Sequence, residues 1–265
     1  VKAVWNAMFP KNLLPIQLGY SSSGEVVKVG KGVSEFHVGD KVVSNGSHAE
    51  YVVVNENLCS RIDQNTDIKE ASFTVLGSIA LHGLRLSGTS LGSKVVVIGL
   101  GVIGQLVCRL AEAQGSEVIG IDTDSERTKN GDNFYTSIDE VELTNIDAVI
   151  ITAASSSNEP IEIATKIARN KAKIVVIGDI PLNISRNDFY YKELELVVSK
   201  SYGPGRYDKQ YEILGNDYPI EYVRWTENRN FEAFTKLLSQ KQIYILDLVS
   251  EEVAFEDAPT VYEKF

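Results

Sequence analysis

Sulfur and imidazole are scarce in this chain. It has two cysteines, Cys59 and Cys108, far apart and never in a Cys-x-x-Cys pair. That count supplies no disulfide framework and fits a reducing compartment, so a cytoplasmic location is expected. The three histidines, His37, His48 and His82, are scattered, without a Cys/His cluster. The ligand set for a structural zinc is therefore missing, and no metal is expected. Positive charge is short as well: 26 lysines and arginines face 36 acidic residues, giving a formal net charge of −10. This balance argues against nucleic acid and anionic membrane as partners, because both are bound by basic surfaces. No apolar run reaches the length that spans a bilayer, about 18 residues or more. The start, Val1-Lys-Ala-Val-Trp-Asn6, lacks the basic-then-apolar layout of a signal peptide. With 265 residues, 43% of them hydrophobic, the chain has room for a sizeable core and two domains.

What the sequence does have is concentrated in Val95-Val-Val-Ile-Gly-Leu-Gly-Val-Ile-Gly104. The valine- and isoleucine-rich run at 95–98 reads as a buried strand. Gly99, Gly101 and Gly104 come next at G-x-G-x-x-G spacing. Residues 102–114 carry apolar side chains at helical spacing and stop at Gly115. A second strand, 117–121, ends in Asp122, which lies 18 residues past Gly104. Strand, glycine turn, helix, strand and acid in that order form the dinucleotide fingerprint. Gly99 serves the tight turn, Gly101 the approach of a pyrophosphate, and Gly104 the close packing of helix on strand. The first helical turn, with Val102 and Ile103, presents unpaired N–H groups to the phosphates. The rival reading is an ordinary βα turn with coincidental glycines, which the surrounding strand, helix and acid disfavour.

The rest of the chain falls into three textures. Residues 1–8 have a helical pattern, which Pro10 and Pro15 break. From Gly24 the pattern is β: strands at 25–29, 42–43 and 49–54, and Cys59 at the end of another, suggest a small barrel or sandwich. Residues 70–86 read as a helix. After the fingerprint, strands at 148–152, 173–178 and 194–199 and a helix at 160–169 imply an α/β, doubly wound parallel sheet. Beyond Ser201 come a tyrosine- and arginine-rich loop, a helix at 231–238, a strand at 243–249 and a last helix from Glu256.

These residues resemble the medium-chain dehydrogenase/reductase superfamily, the relatives of alcohol and polyol dehydrogenases. Gly19-Tyr-Ser-Ser-Ser-Gly24 with Val26-Val-Lys-Val-Gly30 is similar to the family's G-H-E-x-x-G-x-V-x-x-V-G segment. Gly39-Asp-Lys-Val42 is similar to its G-D-x-V turn, and Ala49-Glu-Tyr51 to its A-E-Y strand. The resemblance implies a Rossmann domain at 77–200. It also implies a GroES-like catalytic domain split between 1–76 and 201–265. Its departures concern zinc: the family's ligand histidine falls on Tyr20, the adjoining glutamate on Ser21, and the four-cysteine lobe is absent. Ser201-Tyr-Gly-Pro-Gly-Arg-Tyr-Asp208 and Asp217-Tyr-Pro-Ile-Glu-Tyr-Val-Arg-Trp225 resemble the dehydrogenase half of bi-domain oxidoreductases. Members of that group carry a second, Gfo/Idh/MocA-type module and are associated with sugar and polysaccharide metabolism. That likeness, the start at Val1 past the family's first β segment and the cramped stretch between Asp122 and Asp147 imply a longer natural polypeptide.

Cofactor contacts are expected at Gly99, Gly101, Val102, Ile103, Gly104 and Asp122, with nicotinamide against Thr152, Ala153, Ile177 and Gly178 at strand carboxyl ends. Asp122 would accept the ribose hydroxyls and repel a 2′-phosphate, which favours NAD; Arg127 is the rival group, able to reach a 2′-phosphate. Tyr20 stands where the family holds its electrophile and is the candidate proton donor; the alternative is a tyrosine packed over the cleft without chemistry. Arg206 and Tyr202 are candidates for the substrate side, against a structural turn whose arginine pairs with Asp208 or another acid. His82 reads as a core histidine, and His48 is not expected to be catalytic. The expected activity is zinc-independent, NAD(H)-dependent hydride transfer to or from a carbinol or carbonyl of a small, sugar-related molecule, by a homo-oligomer. The alternatives are a quinone- or enoyl-reductase-like enzyme and a non-catalytic dinucleotide-binding module serving a partner domain.

Overall fold

The computed structural model describes residues 17–263; the helix expected at 1–8 lies outside them. The first described elements are short strands, β1 (Ser22–Glu25), β2 (Lys41–Ser44) and β3 (Cys59–Arg61), paired antiparallel in that order. The strand expected at 25–29 thus sits earlier, and Cys59 begins a strand instead of ending one. No strand forms at 49–54. Tyr51 and Val53 are 70% and 103% exposed, and a β pattern with no ladder beside it leaves its backbone to water.

Two helices come next, α1 (Ile68–Ala71), capped by Asp67, and α2 (Thr74–Ser87). The chain then runs β4 (Lys94–Ile98), α3 (Val102–Ala113), β5 (Glu117–Ile121), α4 (Ser125–Thr128), β6 (Phe134–Tyr135) and β7 (Ile146–Ile151). It continues through α5 (Glu159–Ile167), β8 (Ala168–Val176), α6 (Arg186–Lys192) and β9 (Glu195–Val198). The six strands are parallel in the order β6-β5-β4-β7-β8-β9. The order reverses between β4 and β7, which makes the crevice at their carboxyl ends the switch point of a doubly wound sheet.

Alternation along the strands covers both faces. Val95, Val97, Ile150 and Val175 pack with Leu81, Leu84, Leu106 and Leu110 of α2 and α3. Val96, Ile98, Val149 and Ile174 pack with Ile161 and Ala164 of α5. The near-continuous apolar runs of β4 and β7 result from this two-sided burial.

The remaining elements are α7 (Lys209–Glu212), α8 (Glu227–Ser239) and α9 (Ala258–Tyr262). Thr226 caps α8, whose Phe234 packs on α2: a Cβ on Gly77 would lie 2.2 Å from its ring. Asn228 of α8 donates to the carbonyls of Asn57 and Cys59, at 3.1 and 2.8 Å, tying the tail back to the antiparallel sheet. The strand expected at 243–249 is a loop ending in a 3₁₀ turn, Leu246–Leu248. Its alternating pattern arises because Ile243 and Ile245 enter the helical side of the core, while Asp247 pairs with Arg109 at 2.6 Å.

Candidate functional site

The glycine loop after β4 has the geometry that its spacing implied. Gly99 adopts φ 96°, and a Cβ there would sit 2.5 Å from the Ala153 nitrogen. Gly104 lies so close that a Cβ would meet the Gly99 carbonyl at 1.9 Å. Around Gly101 no described atom lies within 4 Å of a Cβ, and Val102 beside it is 41% exposed. The loop is therefore tight where helix meets strand and open where α3 begins, an arrangement suited to an anionic pyrophosphate. Asp122 is nearly buried at the end of β5. Its carboxylate accepts the Leu100 N–H at 2.6 Å and the Asp124 N–H at 2.9 Å, which fixes it beside the loop. Arg127 lies 3.2 Å from Asp122 and 3.4 Å from Asp124, so its charge is already met by two carboxylates. These residues fit a dinucleotide.

The structure brings Thr152, Ala153, Ile177 and Gly178 together across the carboxyl ends of β7 and β8. The Ala153 N–H donates to Ile98, and a Cβ on Gly178 would lie 1.9 Å from the Ala153 carbonyl. The Thr152 hydroxyl donates to the Gly99 carbonyl at 2.5 Å, and Ile177 packs on Gly83 of α2. Both side chains face inward, which leaves backbone groups as what this stretch can offer a ligand.

Tyr20 is 52% exposed. Its phenol is pushed upward by partial burial and by the nearby Tyr207, so it stays protonated at neutral pH. That proximity brings the 18–22 segment and the 201–208 loop together. Gly19, at φ 82°, lies against the His48 imidazole, where a Cβ would meet the ring at 2.1 Å. His48 is bonded to the Tyr262 hydroxyl of α9. The Ser21 hydroxyl donates to the Ser72 carbonyl at 2.5 Å. Among the described residues no three His, Cys, Asp or Glu side chains are grouped as metal ligands. With a phenol in place of the family's histidine and Ser21 turned to a carbonyl, these residues do not fit a catalytic zinc.

Arg206 and Tyr202 have structural partners. Arg206 pairs with Glu212 at 2.5 Å and lies 4.1 Å from the Tyr207 ring centroid and 5.1 Å from that of Tyr202. The acid is Glu212, not Asp208. Burial pulls the guanidinium down, but Tyr202, Glu212 and Tyr207 more than offset it. Tyr202 is buried against Phe231, with its hydroxyl 3.4 Å from the Asn45 amide, and its phenol is raised by burial. It forms the wall behind the loop. His82 is half-buried beside Gly203 instead of in the core, and is lowered to about 4 by burial and by Arg85.

Glu227, in the first turn of α8, was not singled out by sequence. It is wholly buried, and neither carboxylate oxygen has a hydrogen-bond partner among the described residues; the Arg206 Nε is buried and unpartnered as well. Burial, reinforced by Glu212, pushes Glu227 up to about 8. The one available signal was Thr226-Glu-Asn, a capped helix start, which places Glu227 in a first turn but says nothing of its burial. A concavity of about 810 Å³ lies elsewhere, between β3 and α8, lined by Phe36, Arg61, Asn228 and Glu232 among others and by no residue of the glycine loop.

Residues 1–64 match the alcohol dehydrogenase GroES-like domain, and residues 66–186 match the NAD-binding domain of D-isomer-specific 2-hydroxyacid dehydrogenases. The chain is 24% identical over 246 residues to 2-dehydro-3-deoxy-L-galactonate 5-dehydrogenase of Pseudoalteromonas atlantica, covering 77% of this chain and 72% of the relative. It is 25% identical over 269 residues to D-guloside 3-dehydrogenase of Escherichia coli, covering 94% and 73%. Among solved structures, a putative zinc-binding dehydrogenase from Sinorhizobium meliloti bound to NADP superposes with a TM-score of 0.78 at 20% identity, over 98% of this chain and 83% of that one.

Proposed function

The chain belongs to the medium-chain dehydrogenase/reductase superfamily of alcohol-dehydrogenase-like proteins, and from that premise we propose that it is a zinc-independent oxidoreductase acting on a carbinol or carbonyl of a sugar or polyol. One observation carries the reading: the open glycine loop lies at the switch point of a parallel sheet whose last strand feeds the loop facing Tyr20. A nicotinamide dinucleotide supplies hydride chemistry when bound. The chain's share is to hold it, exclude water and manage one proton. Gly99, Gly101 and Gly104 shape the pyrophosphate cradle, with Val102 and Ile103 supplying the helix start. Tyr20 holds the proton that a substrate oxygen takes up or gives back, and Arg206 keeps the loop and Tyr207 against Tyr20.

We take 1–76 and 201–265 as two halves of one catalytic unit and 77–200 as the cofactor unit; the ties from Asn228 of α8 to Asn57 and Cys59 support joining the halves, while Phe234, Ile243 and Ile245 anchor the tail in the core of the cofactor unit. The two buried, free cysteines suit a reducing compartment.

Asp122 favours NAD. A fixed carboxylate at the ribose edge repels a 2′-phosphate, and Arg127, the cation within reach, is neutralised by Asp122 and Asp124. Titrations with NADH and NADPH test this: NADH should bind at least ~10-fold tighter, about 1.4 kcal/mol, and Asp122→Ala should narrow the gap. Equal or tighter NADPH binding overturns the assignment. A panel of polyols, keto-sugars, quinones and enones with NAD(H) tests the activity; turnover confined to quinones or enones favours the reductase alternative, and tight cofactor binding with no turnover on any of them leaves the binding module.

A further inference from the structure

Six of the nine arginines are ion-paired with a carboxylate: Arg61, Arg109, Arg127, Arg169, Arg206 and Arg229. Among the described residues Arg85, Arg186 and Arg224 have no acid within ion-pair distance, although acidic residues outnumber basic ones in this chain; Arg186 lies over the Tyr190 ring, 4.8 Å from its centroid, which leaves Arg85 and Arg224. Both instead lie over the same indole, with guanidinium carbons 3.5 and 3.7 Å from the Trp225 ring centroid. Stacking on an aromatic face is favourable for each cation. Bringing two like charges onto one ring, without a counter-ion, is not.

The arrangement is fixed from behind. An Arg85 Nη donates to the Asn230 carboxamide oxygen, and the Asn230 amide donates to the Tyr202 carbonyl at 2.8 Å. One asparagine therefore orients Arg85 and anchors the start of the 201–208 loop. His82, one turn before Arg85 on α2, lies close to Gly203 of that loop and is neutral at physiological pH, so it does not add to the positive charge. Arg224 and its neighbour Tyr222 are exposed, which leaves the stack open to solvent on that side.

We propose that Arg85, Arg224 and Trp225 form a binding site for an oxyanion, a carboxylate, phosphate or sulfate group, either free or carried on a small sugar. The planar guanidinium fork matches such groups with paired N–H donors, and a pre-oriented arginine loses little freedom on binding. The bound anion supplies the counter-charge that the chain itself withholds. Because Asn230 holds both Arg85 and the Tyr202 carbonyl, occupancy of the site steadies the loop that carries Arg206 and Tyr207. The site does not depend on turnover.

Trp225 reports on it directly. The chain has one other tryptophan, Trp5, so the Trp5→Phe protein gives a single-site emission signal. Titration with inorganic phosphate, ionic strength held constant with sodium chloride, should give a saturable change at roughly millimolar concentration. In the same background Arg224→Gln should weaken it by roughly tenfold or more, as expected for loss of a charge-assisted pair, with NADH affinity unchanged. Arg85→Gln should act alike; Arg224 is exposed, so its variant decides the matter even if the Arg85 variant fails to fold. Glucose 6-phosphate binding tighter than phosphate, with glucose inert, identifies a sugar-borne group; equal affinity identifies the free anion. An unsaturable response, the same response to chloride alone, or an unchanged dissociation constant in Arg224→Gln overturns the site. Anion binding without turnover supports the site while counting against the oxidoreductase reading.

Discussion

Tyr20 and Glu227 both hold protons at neutral pH, for the same physical reason and with opposite exposure. The Tyr20 phenol is half exposed, which leaves it within reach of a substrate oxygen; burial and Tyr207 raise it, which keeps it protonated but makes it a weaker acid than a free phenol. Tyr20→Phe should lower kcat by roughly 10²–10⁴-fold, with the NADH dissociation constant nearly unchanged. Unchanged kcat would reduce Tyr20 to a packing residue. Glu227 is sealed beneath Arg206 and Tyr202, and its carboxyl moves from an ordinary 4.5 to about 8. Between those values the folded chain keeps a proton that the unfolded chain releases. Stability must therefore fall as pH rises from about 4.5, with the whole penalty present above about 8. Glu227→Gln removes the ionisation. Its melting temperature should match that of the parent below about pH 4.5 and exceed it by a few degrees near pH 9. Parallel curves at all pH values would show that Glu227 is not buried as an acid. Arg206→Ala, by contrast, should raise KM and also lower the melting temperature, because Glu212 loses its partner.

At the scale of elements, the glycine loop separates two kinds of glycine. Gly104→Ala pushes a methyl group into the Gly99 carbonyl and should cost ~1–3 kcal/mol of stability. Gly101→Ala meets nothing and should leave the melting temperature of the apo protein unchanged, yet weaken NADH by roughly tenfold or more. Thermal melts with and without NADH check both. These roles were legible in the sequence because the β4–α3–β5 unit is local: its signals lie within 28 residues, from Val95 to Asp122. Strands β7, β8 and β9 and helices α2, α5 and α8 are legible for the same reason, through strong local patterning; the strand order and the two-residue β6 are not, because they depend on contacts between distant segments. Residues 49–54 and 243–249 alternate as strands do, but alternation alone does not show whether a ladder lies beside them, and among the described residues none does. Helix α6 escaped notice because no residue in it is buried, so it carries no apolar stripe. In the candidate site, Tyr20 is legible through a lost ligand position, whereas Glu227 and Asn230 are not, since their meaning comes from burial alone or from contacts across 20 residues or more; Glu212 is only six residues from Arg206, but spacing does not choose between it and Asp208 as the partner.

At the scale of the whole molecule, the six-stranded sheet ends on unequal edges. The β6 edge has two residues, too short to template another strand. The β9 edge has four, with Val198 60% exposed, and no described strand covers it. A free edge bearing apolar side chains is an aggregation hazard unless it is charged, covered or paired. Charge does not protect it: β9 reads Glu-Leu-Val-Val, and its one acid, Glu195, lies near Lys173 of β8 at 3.4 Å. Pairing with β9 of a second copy would extend the sheet across a two-fold axis and close the edge, the commonest symmetry for soluble assemblies. Light scattering coupled to size exclusion should therefore give about twice the 29.2 kDa chain mass at micromolar concentration. Val198→Lys, which places a charge on the edge, should shift the population to single chains without altering NADH affinity. A parent protein that elutes at the chain mass across the accessible range removes the homo-oligomer. A dimer untouched by Val198→Lys places the interface away from β9.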